Sequence, residues 1–473
     1  MDLDRWFLSG AERGNPHTGL DERRSDGTAW TTGNEVRPLG HGRAYFAELL
    51  AAVRATRAGD LVLFTDWRGD PDERLGTDPD TEVSRVLCSA AERGVLVKGL
   101  IWRSHLDRFT FSAAENRHLG EEIEAAGGEC VRDMRVRAGG SHHQKIVVVR
   151  YAGRPERDVA FVGGIDLCHS RNDGPEHRGD PQAVTMSPRY GPRPPWHDIQ
   201  LAIRGPAVGD VEYSFRERWD DPTPVTRNPF YRLADLLRRD DDKPDPLPPQ
   251  APDPAPCGTQ AVQVLRTYPY RRRGYPFAPS GERSVARGYA KALRAGRQLI
   301  YVEDQYLWSA RVAESFAEAL LANPELRLVA VVPRYPDQPG TLAVATELKG
   351  RGQALDIVYR AGGDRVAVYG LENHAGTPVY VHAKVCVVDD TWFAVGSDNF
   401  NQRSWTHDSE LSCAVLDEGG TSLARTVRLD LAREHLDRAG GDDADLIDPA
   451  QAFATFGKVA DELEAPVRGT REF

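Results

Sequence analysis

The chain has 473 residues, 28% of them charged, and a formal net charge of −11. That acidity weighs against general nucleic-acid binding, which relies on basic patches, and the length is large for one hydrophobic core. No run of about 18 apolar residues marks a transmembrane helix, and the start MDLDRWFLSGAERG has neither the basic region nor the apolar core of a secretory signal.

In chain order, a helical pattern at about 43–57 leads into the strand DLVLFTDW, ending at Trp67. A second helix and the strand VLVKGLIW from Val95 follow, then a third helix and His143–Lys145 at the head of the apolar run KIVVV. After Gly163–Gly164 comes HDIQLAI from His197 and a closing helix. Residues 240 to 256, DDDKPDPLPPQAPDPAP, combine an acidic run with seven prolines and read as an extended connector without packed structure.

The same series then returns. A helical pattern at about 282–296 precedes QLIYVEDQ, ending at Gln305, 238 positions after Trp67. LRLVAVVP from Leu326 follows, then His382–Lys384 at the head of KVCVV, 239 positions after the first pair, then Gly396–Ser397 and ELSCAV from Glu410. Self-similarity at a near-constant offset signals a duplicated architecture, and strands alternating with helical patterns imply α/β units. The expectation is an α/β fold of two similar α/β/α lobes with largely parallel sheets, related by a pseudo-twofold axis, with one active site at the lobe interface. The lobes are placed at 1–238 and 259–473, with a linker at 239–258. Six cysteines without a C-x-x-C spacing read as reduced core residues, which points to a cytoplasmic protein.

Lysine accounts for seven of the 60 basic residues, yet it is kept in both His-x-Lys pairs. Residues i and i+2 of a strand project from one face, so both groups of a pair can address one bound anion. A neutral imidazole can attack and a protonated one can act as an acid, while lysines stabilise phosphoryl oxygens. Two such pairs around an axis would supply a phosphoryl-transfer site. Neither H-E-x-x-H nor a cysteine–histidine ligand set is present, so neither a metal nor another cofactor is expected.

With these residues in place, the chain resembles the phospholipase D superfamily, whose signature is H-x-K-x4-D followed by G-[GS]-x-x. The second copy is complete: His382, Lys384, Asp389, Gly396, Ser397 and Asn399. SHHQK, AFVGGIDL, PWHD, GPAV, YVEDQY, GSDNFNQRS, DSELS, LVLFTDW and LAREHL look like blocks of the phosphatidylcholine-type phospholipases D of plants and animals and their bacterial relatives. The resemblance implies hydrolysis, or transfer to another alcohol, at the distal phosphodiester of a glycerophospholipid through a phosphohistidine. It assigns attack to His143 and acid/base work to His382. Lys145 and Lys384 would hold the non-bridging oxygens, helped by Asn399 and Ser397, with Gly163 and Gly164 among the substrate-binding residues. Asp198 and Glu410 match the family's orienting carboxylates, with Asp408 the competitor for Glu410. Asp166 stands at the position matching Asn399, so the phosphate-ligand role is not carried over to it. Trp196 would be a pocket or packing residue.

Glu303 and Gln305, with Tyr301 and Tyr306, lie at a strand's carboxyl end, where α/β proteins bind ligands, and could line the substrate pocket or pack in the core. TYPYRRRGYPFAPSG, from Thr267 to Gly281, suits either peripheral lipid contact, base stacking, or a packed loop over the site. The departure is Arg150, which stands where the signature has Asp: the hairpin there is longer, within YAGRPERD, and Asp158 could substitute. The alternatives to a phospholipase D are a superfamily nuclease or other phosphodiesterase, which the acidity opposes, and a catalytically silent lipid- or anion-binding protein.

Overall fold

The computed structural model describes residues 2–104, 113–226, 228, 244–307, 309–337, 341–418, 422–438 and 443–464. The first half contributes strands β1 (Thr31–Gly40), β2 (Leu61–Asp66), β3 (Leu96–Trp102), β4 (Glu129–Asp133), β5 (Ile146–Arg150), β6 (Val159–Gly163), β7 (Trp196–His197) and β8 (Ile199–Arg204). The second contributes β9 (Gln260–Tyr268), β10 (Glu282–Arg283), β11 (Leu299–Glu303), β12 (Arg327–Val331), β13 (Val366–Tyr369), β14 (Tyr380–Val381), β15 (Val385–Val388), β16 (Trp392–Gly396) and β17 (Glu410–Asp417).

All but β7 and β14, which pair with each other, form one sheet in the order β13-β12-β11-β15-β16-β17-β9-β1-β8-β6-β5-β2-β3-β4, with β10 beside β9. This order is a palindrome about the β9–β1 seam, which gives the expected pseudo-twofold relation. The expectation of largely parallel sheets is corrected. Within this sheet β2-β3-β4 and β11-β12-β13 pair in parallel, and the central strands of both halves are antiparallel. The reason is connection length. A parallel pair needs a crossover of a dozen residues or more, which the helices Val83–Glu92 and Ala310–Ala322 supply; β5–β6 and β15–β16 are joined by short connections and must turn back.

Antiparallel return is what positions the site. Ile146 of β5 pairs with Thr65 near the end of β2, and Gly163, the last residue of β6, pairs with Gln200 near the start of β8. His143 and Lys145, Gly163 and Asp198 therefore gather at one end of the sheet. Val385↔Val395 and Gly396↔Ser412 repeat the arrangement in the second half.

Alternation within the strands divides the core. Leu61 and Leu63 of β2 and Leu299 and Tyr301 of β11 join one apolar cluster shared by both halves, whereas Val62 and Phe64, and Ile300 and Val302, face separate clusters under the helices of their own half. Burial on both faces accounts for the unbroken apolar runs read in the sequence. The cysteines are unpaired, with Cys130, Cys168, Cys386 and Cys413 buried and Cys257 exposed.

Two parts of the chain depart from their sequence reading. The N-terminal stretch packs on the second half: the Leu8 amide donates to Gln263 (2.8 Å), and Arg13, fully buried, reaches Glu282 at 3.0 Å. Of the proposed linker, residues 239–243 lie outside the described residues. Residues 244–258 form no helix or strand, yet they are docked. Carbonyl oxygens of Asp245, Pro248 and Pro252 accept from Trp219, Arg216 and Arg150 at 2.8, 2.7 and 2.6 Å. A proline-rich backbone keeps its acceptors, and buried arginines use them.

Arg150 explains how the first half manages without the signature aspartate. In the second half Asp389 accepts backbone N–H bonds from Arg297, Gln298 and Leu299 and so fastens the hairpin to the head of β11. The bond runs in the opposite direction in the first half, where Asp60, just before β2, accepts from the amide of Ala152 in the hairpin at 2.8 Å. Asp158 does not substitute at the strand head. It pairs with Arg150 (2.8 Å) and accepts from the Tyr151 amide, while Arg150 also holds Glu212 at 2.8 Å. All three side chains are buried, and burial pushes the Asp158 carboxyl up to about 6 despite Arg150. Removing one member of a buried ion pair costs about 3–5 kcal/mol. Arg150→Asp would add a third carboxylate between Asp158 and Glu212 and should destabilise the fold by at least that much, with Arg150→Met milder. Denaturant titration checks this against turnover per folded molecule, which should not change.

Candidate active site

The two His-x-Lys pairs lie in extended segments just ahead of β5 and β15, so each histidine precedes its strand and is free to pair elsewhere. Both pair across the molecule. His143 Nδ1 lies 2.9 Å from Glu410 Oε2, and His382 Nδ1 lies 2.7 Å from Asp198 Oδ2. Each histidine of one half is thus oriented by a carboxylate of the other. The backbone repeats the exchange: the His143 amide donates to Ser409 O (3.0 Å) and the His382 amide to His197 O (2.8 Å). β14 pairs with β7 in parallel, Tyr380↔Trp196 and Val381↔His197, and His142 bridges Ser409 in the matching place. With each Nδ1 engaged, each Nε2 is left for chemistry.

The glycines make room for this. A side chain at Gly164 would place its Cβ 2.3 Å from Asp198 Oδ1, and one at Gly163 would meet Gln200 Oε1 at 2.3 Å. At Gly396 a Cβ would collide with the side chain of Ser412. These residues permit close strand approach behind the histidines. Ser397 donates its hydroxyl to Glu410, so it orients the carboxylate.

Lys145 Nζ donates to His143 O (3.0 Å) and lies 3.4 Å from Asp166 Oδ1. Lys384 Nζ donates to the carbonyl of His382 and lies 3.4 Å from Gln305 Oε1. Asp166, matched by position to Asn399, accepts from the amides of Trp67 and Arg68, so it is a structural counterion to Lys145. Asn399 is buried, and its side-chain oxygen has no partner among the described residues. Asp408 is not the His143 partner: it accepts from Ser141 and pairs with Arg403.

The electrostatics follow from burying two lysines beside two histidines. Burial, then the charge of Lys145, holds His143 well below the usual imidazole range, with a further push from Lys384. Burial and Lys384 hold His382 at about 3 despite Asp198. Lys384 is itself lowered to about 8 by burial. The carboxylates diverge. Burial opposes the charge of Asp198, but His382 and Lys384 prevail and keep it at about 2, whereas burial pushes Glu410 up to about 7 against the pull of Lys145.

Around the pair, the Trp196 ring lies 4.9 Å from that of His382, the Arg171 guanidinium sits 3.9 Å from the Trp196 ring centroid, and the Trp67 ring is 6.3 Å from that of His143. Gln305 donates to Tyr380 OH at 2.7 Å and so stays beside the site. Glu303 does not line the pocket. It is fully buried, 2.6 Å from both His197 and His435, with Tyr301 donating to it. In the Thr267–Gly281 segment, Tyr268, Tyr275 and Phe277 form a buried cluster and Tyr268 OH accepts from Gln144, next to His143. The packed-loop reading describes these three rings; Tyr270 alone is 59% exposed, beside exposed Arg272 and Arg273.

Comparison with known proteins agrees with this geometry. The family model described as phospholipase D matches residues 79–236, and one described as cardiolipin synthase, PLD-like domain, matches 346–430. The chain is 27% identical to phospholipase D beta 1 of Arabidopsis thaliana, over 79% of this chain and 45% of that protein. It is 24% identical to phospholipase D alpha 4 of the same plant (83% and 63%) and 27% identical to phospholipase D alpha 1 of Cynara cardunculus (75% and 58%). The chain thus spans about half to three fifths of these relatives. Among solved structures, phosphatidylserine synthase of Haemophilus influenzae has the same fold, with a TM-score of 0.57 at 13% identity, over 92% of this chain and 95% of that one. Two matched family models and a duplicated His-x-Lys site place the chain in the phospholipase D superfamily.

Proposed function

We propose that the protein is a phospholipase D-type phosphodiesterase that hydrolyses the distal phosphodiester of a glycerophospholipid, or transfers it to another alcohol, through a phosphohistidine on His143. The observation that carries this reading is the crossed pairing of each histidine with a carboxylate of the opposite half. It leaves two imidazole Nε2 atoms and two lysines for one substrate. The substrate class rests on the named relatives, all phospholipases D, and on the net acidity that weighs against nucleic acid. Parallel assays on phosphatidylcholine vesicles and single-stranded DNA separate the two substrates.

In this mechanism His143 Nε2 forms a bond to phosphorus as the bond to the headgroup oxygen breaks, and His382 Nε2–H gives its proton to the leaving alcohol. His382 then takes a proton from water or an acceptor alcohol, whose oxygen displaces His143. Lys145, Lys384 and Asn399 hold the non-bridging oxygens. The two environments support this division of roles. Asp198 stays ionised and favours a proton on His382, whereas Glu410 titrates near neutrality and leaves His143 neutral, as a nucleophile requires. Without substrate, burial and then the charge of Lys384 keep His382 deprotonated. A bound phosphodiester anion offsets those charges and restores the acid.

Two measurements test the mechanism. In the His382→Asn variant, turnover should fall by about 10²–10⁴-fold, the usual range for losing a general acid–base, while His143→Asn should form no phosphoenzyme. Label from a substrate phosphate, stable to base and labile to acid, should map to His143; label on His382 would reverse the roles. The second measurement uses Glu410. Because its carboxyl is raised from 4.5 to about 7 in the folded protein, the folded state holds an extra proton across that window and stability falls as pH rises through it. The ionised form is the one that accepts from His143 Nδ1–H, so kcat/KM should climb as pH passes about 7. Glu410→Gln should abolish both pH dependences, and a limb that stayed in place in this variant would assign it to another group.

A further inference from the structure

Behind the Asp198–His382 side of the cleft lies a cluster of titratable groups that the reaction does not use. Glu434, in the helix Leu423–His435, is surrounded by three histidines. Its carboxylate oxygens lie 2.7 Å from His41 Nε2, 3.0 Å from His177 Nε2 and 3.1 Å from His197 Nδ1. The four donor atoms all fall within 4.8 Å of one another, and the three imidazole centroids are 5.1–5.5 Å apart.

The outer nitrogens constrain the inner ones. His177 Nδ1 faces the Trp196 carbonyl at 3.2 Å, and His197 Nε2 faces the Glu303 carboxylate at 2.6 Å. Both partners are acceptors, so each outer nitrogen must carry the proton. A neutral ring then presents a bare nitrogen to Glu434, acceptor against acceptor. Only a second proton on each ring, or a cation between the nitrogens and the carboxylate, resolves that opposition. An N–H given to a carboxylate or a backbone carbonyl is also how metal-bound histidines are held from behind. His41 is held differently: its Nε2 faces Glu434, its Nδ1 is buried with no hydrogen-bond partner among the described residues, and its backbone has φ +67°, a left-handed conformation unfavourable for a residue with a side chain.

We propose that His41, His177, His197 and Glu434 bind a divalent transition-metal ion, with zinc favoured by a donor set of three imidazoles and one carboxylate. Zinc bonds of about 2.0–2.1 Å give a tetrahedron with edges of ~3.3 Å, so the contacts of Glu434 need to open slightly while the donor atoms, now within 4.8 Å of one another, draw together around the ion. A cleft of about 840 Å³, lined in part by His177, Glu434, His435 and Arg334, offers an entry path. The ion's role is to position. The His41 amide donates to Asp198 O, and His197 O accepts from the His382 amide, so two ligands grip the backbone that carries the His382 partner. Sequence reading expected no metal because the ligands follow no motif spacing; the fold assembles them from four separate segments. The proposal is independent of the reaction assigned above.

The test is metal analysis of untagged protein, isolated without chelator after expression in zinc-supplemented medium. About one zinc per chain is expected. Its removal by a strong chelator should lower the melting temperature by several degrees, with recovery on adding zinc back. Cobalt substitution should give the intense visible absorption of a four-coordinate site. His177→Gln and Glu434→Gln should lose the ion, and His435→Gln should keep it. If those two variants do not fold, the stoichiometry and cobalt spectrum of the unaltered protein decide. Protein without metal that takes up no zinc in titration would overturn the proposal and leave the cluster held by protons. Zinc retained by both ligand variants, or lost on His435→Gln, would equally overturn the assigned ligands.

Discussion

Every feature of the cleft depends on one constraint: a buried imidazole needs a carboxylate, and neither half supplies one to its own histidine. Asp198 reaches His382 and Glu410 reaches His143. Crossing the partners makes the relative placement of the halves a condition of chemistry, because a small displacement at the interface would loosen both pairs. The rest of the structure reads as support for that placement. β7 and β14 pair in parallel beside one histidine, the His142–Ser409 bridge does the same for the other, and one apolar cluster runs through both halves.

The same crossing breaks the symmetry that duplication created. The two carboxylates differ in length and surroundings: Asp198 accepts from the Ile199 amide and from His382, while Glu410 accepts from Ser397 and leaves one buried oxygen without a hydrogen bond among the described residues. One therefore stays charged and the other titrates near neutrality. Two identical imidazoles thus face partners of different charge, each supplied from outside its own motif.

Much of this was legible in the sequence, and the part that was not has a common physical cause. The duplicated strands and the His-x-Lys pairs are encoded by local pattern, by alternation and by spacing, so they could be read, and the two carboxylates followed from the resemblance of PWHD and DSELS to family blocks. Strand direction was misjudged because apolar runs report burial on both faces, not the direction of the neighbour. Glu303 was placed in the pocket because a strand's carboxyl end is a common ligand site, yet His197 and His435 claim it from 106 and 132 residues away. Arg150 looked like a damaged motif, whereas its partners Glu212 and Pro252 lie 62 and 102 residues downstream. Long-range pairing of buried polar groups leaves no periodic trace, and it decided each of these cases.

The distance between Glu410 and His143 along the chain, 267 residues, bears on how the protein comes into being. A ribosome that has completed the first half has made a histidine and a lysine with no orienting partner, and β1 still awaits β9 on its open edge. Leu8, Arg13 and Asn15 likewise reach hydrogen-bond partners at Gln263 and Glu282. Synthesis therefore leaves His143 without its carboxylate until Glu410, 267 residues later, has been made. A chain broken off between the two carries a His143 that nothing orients.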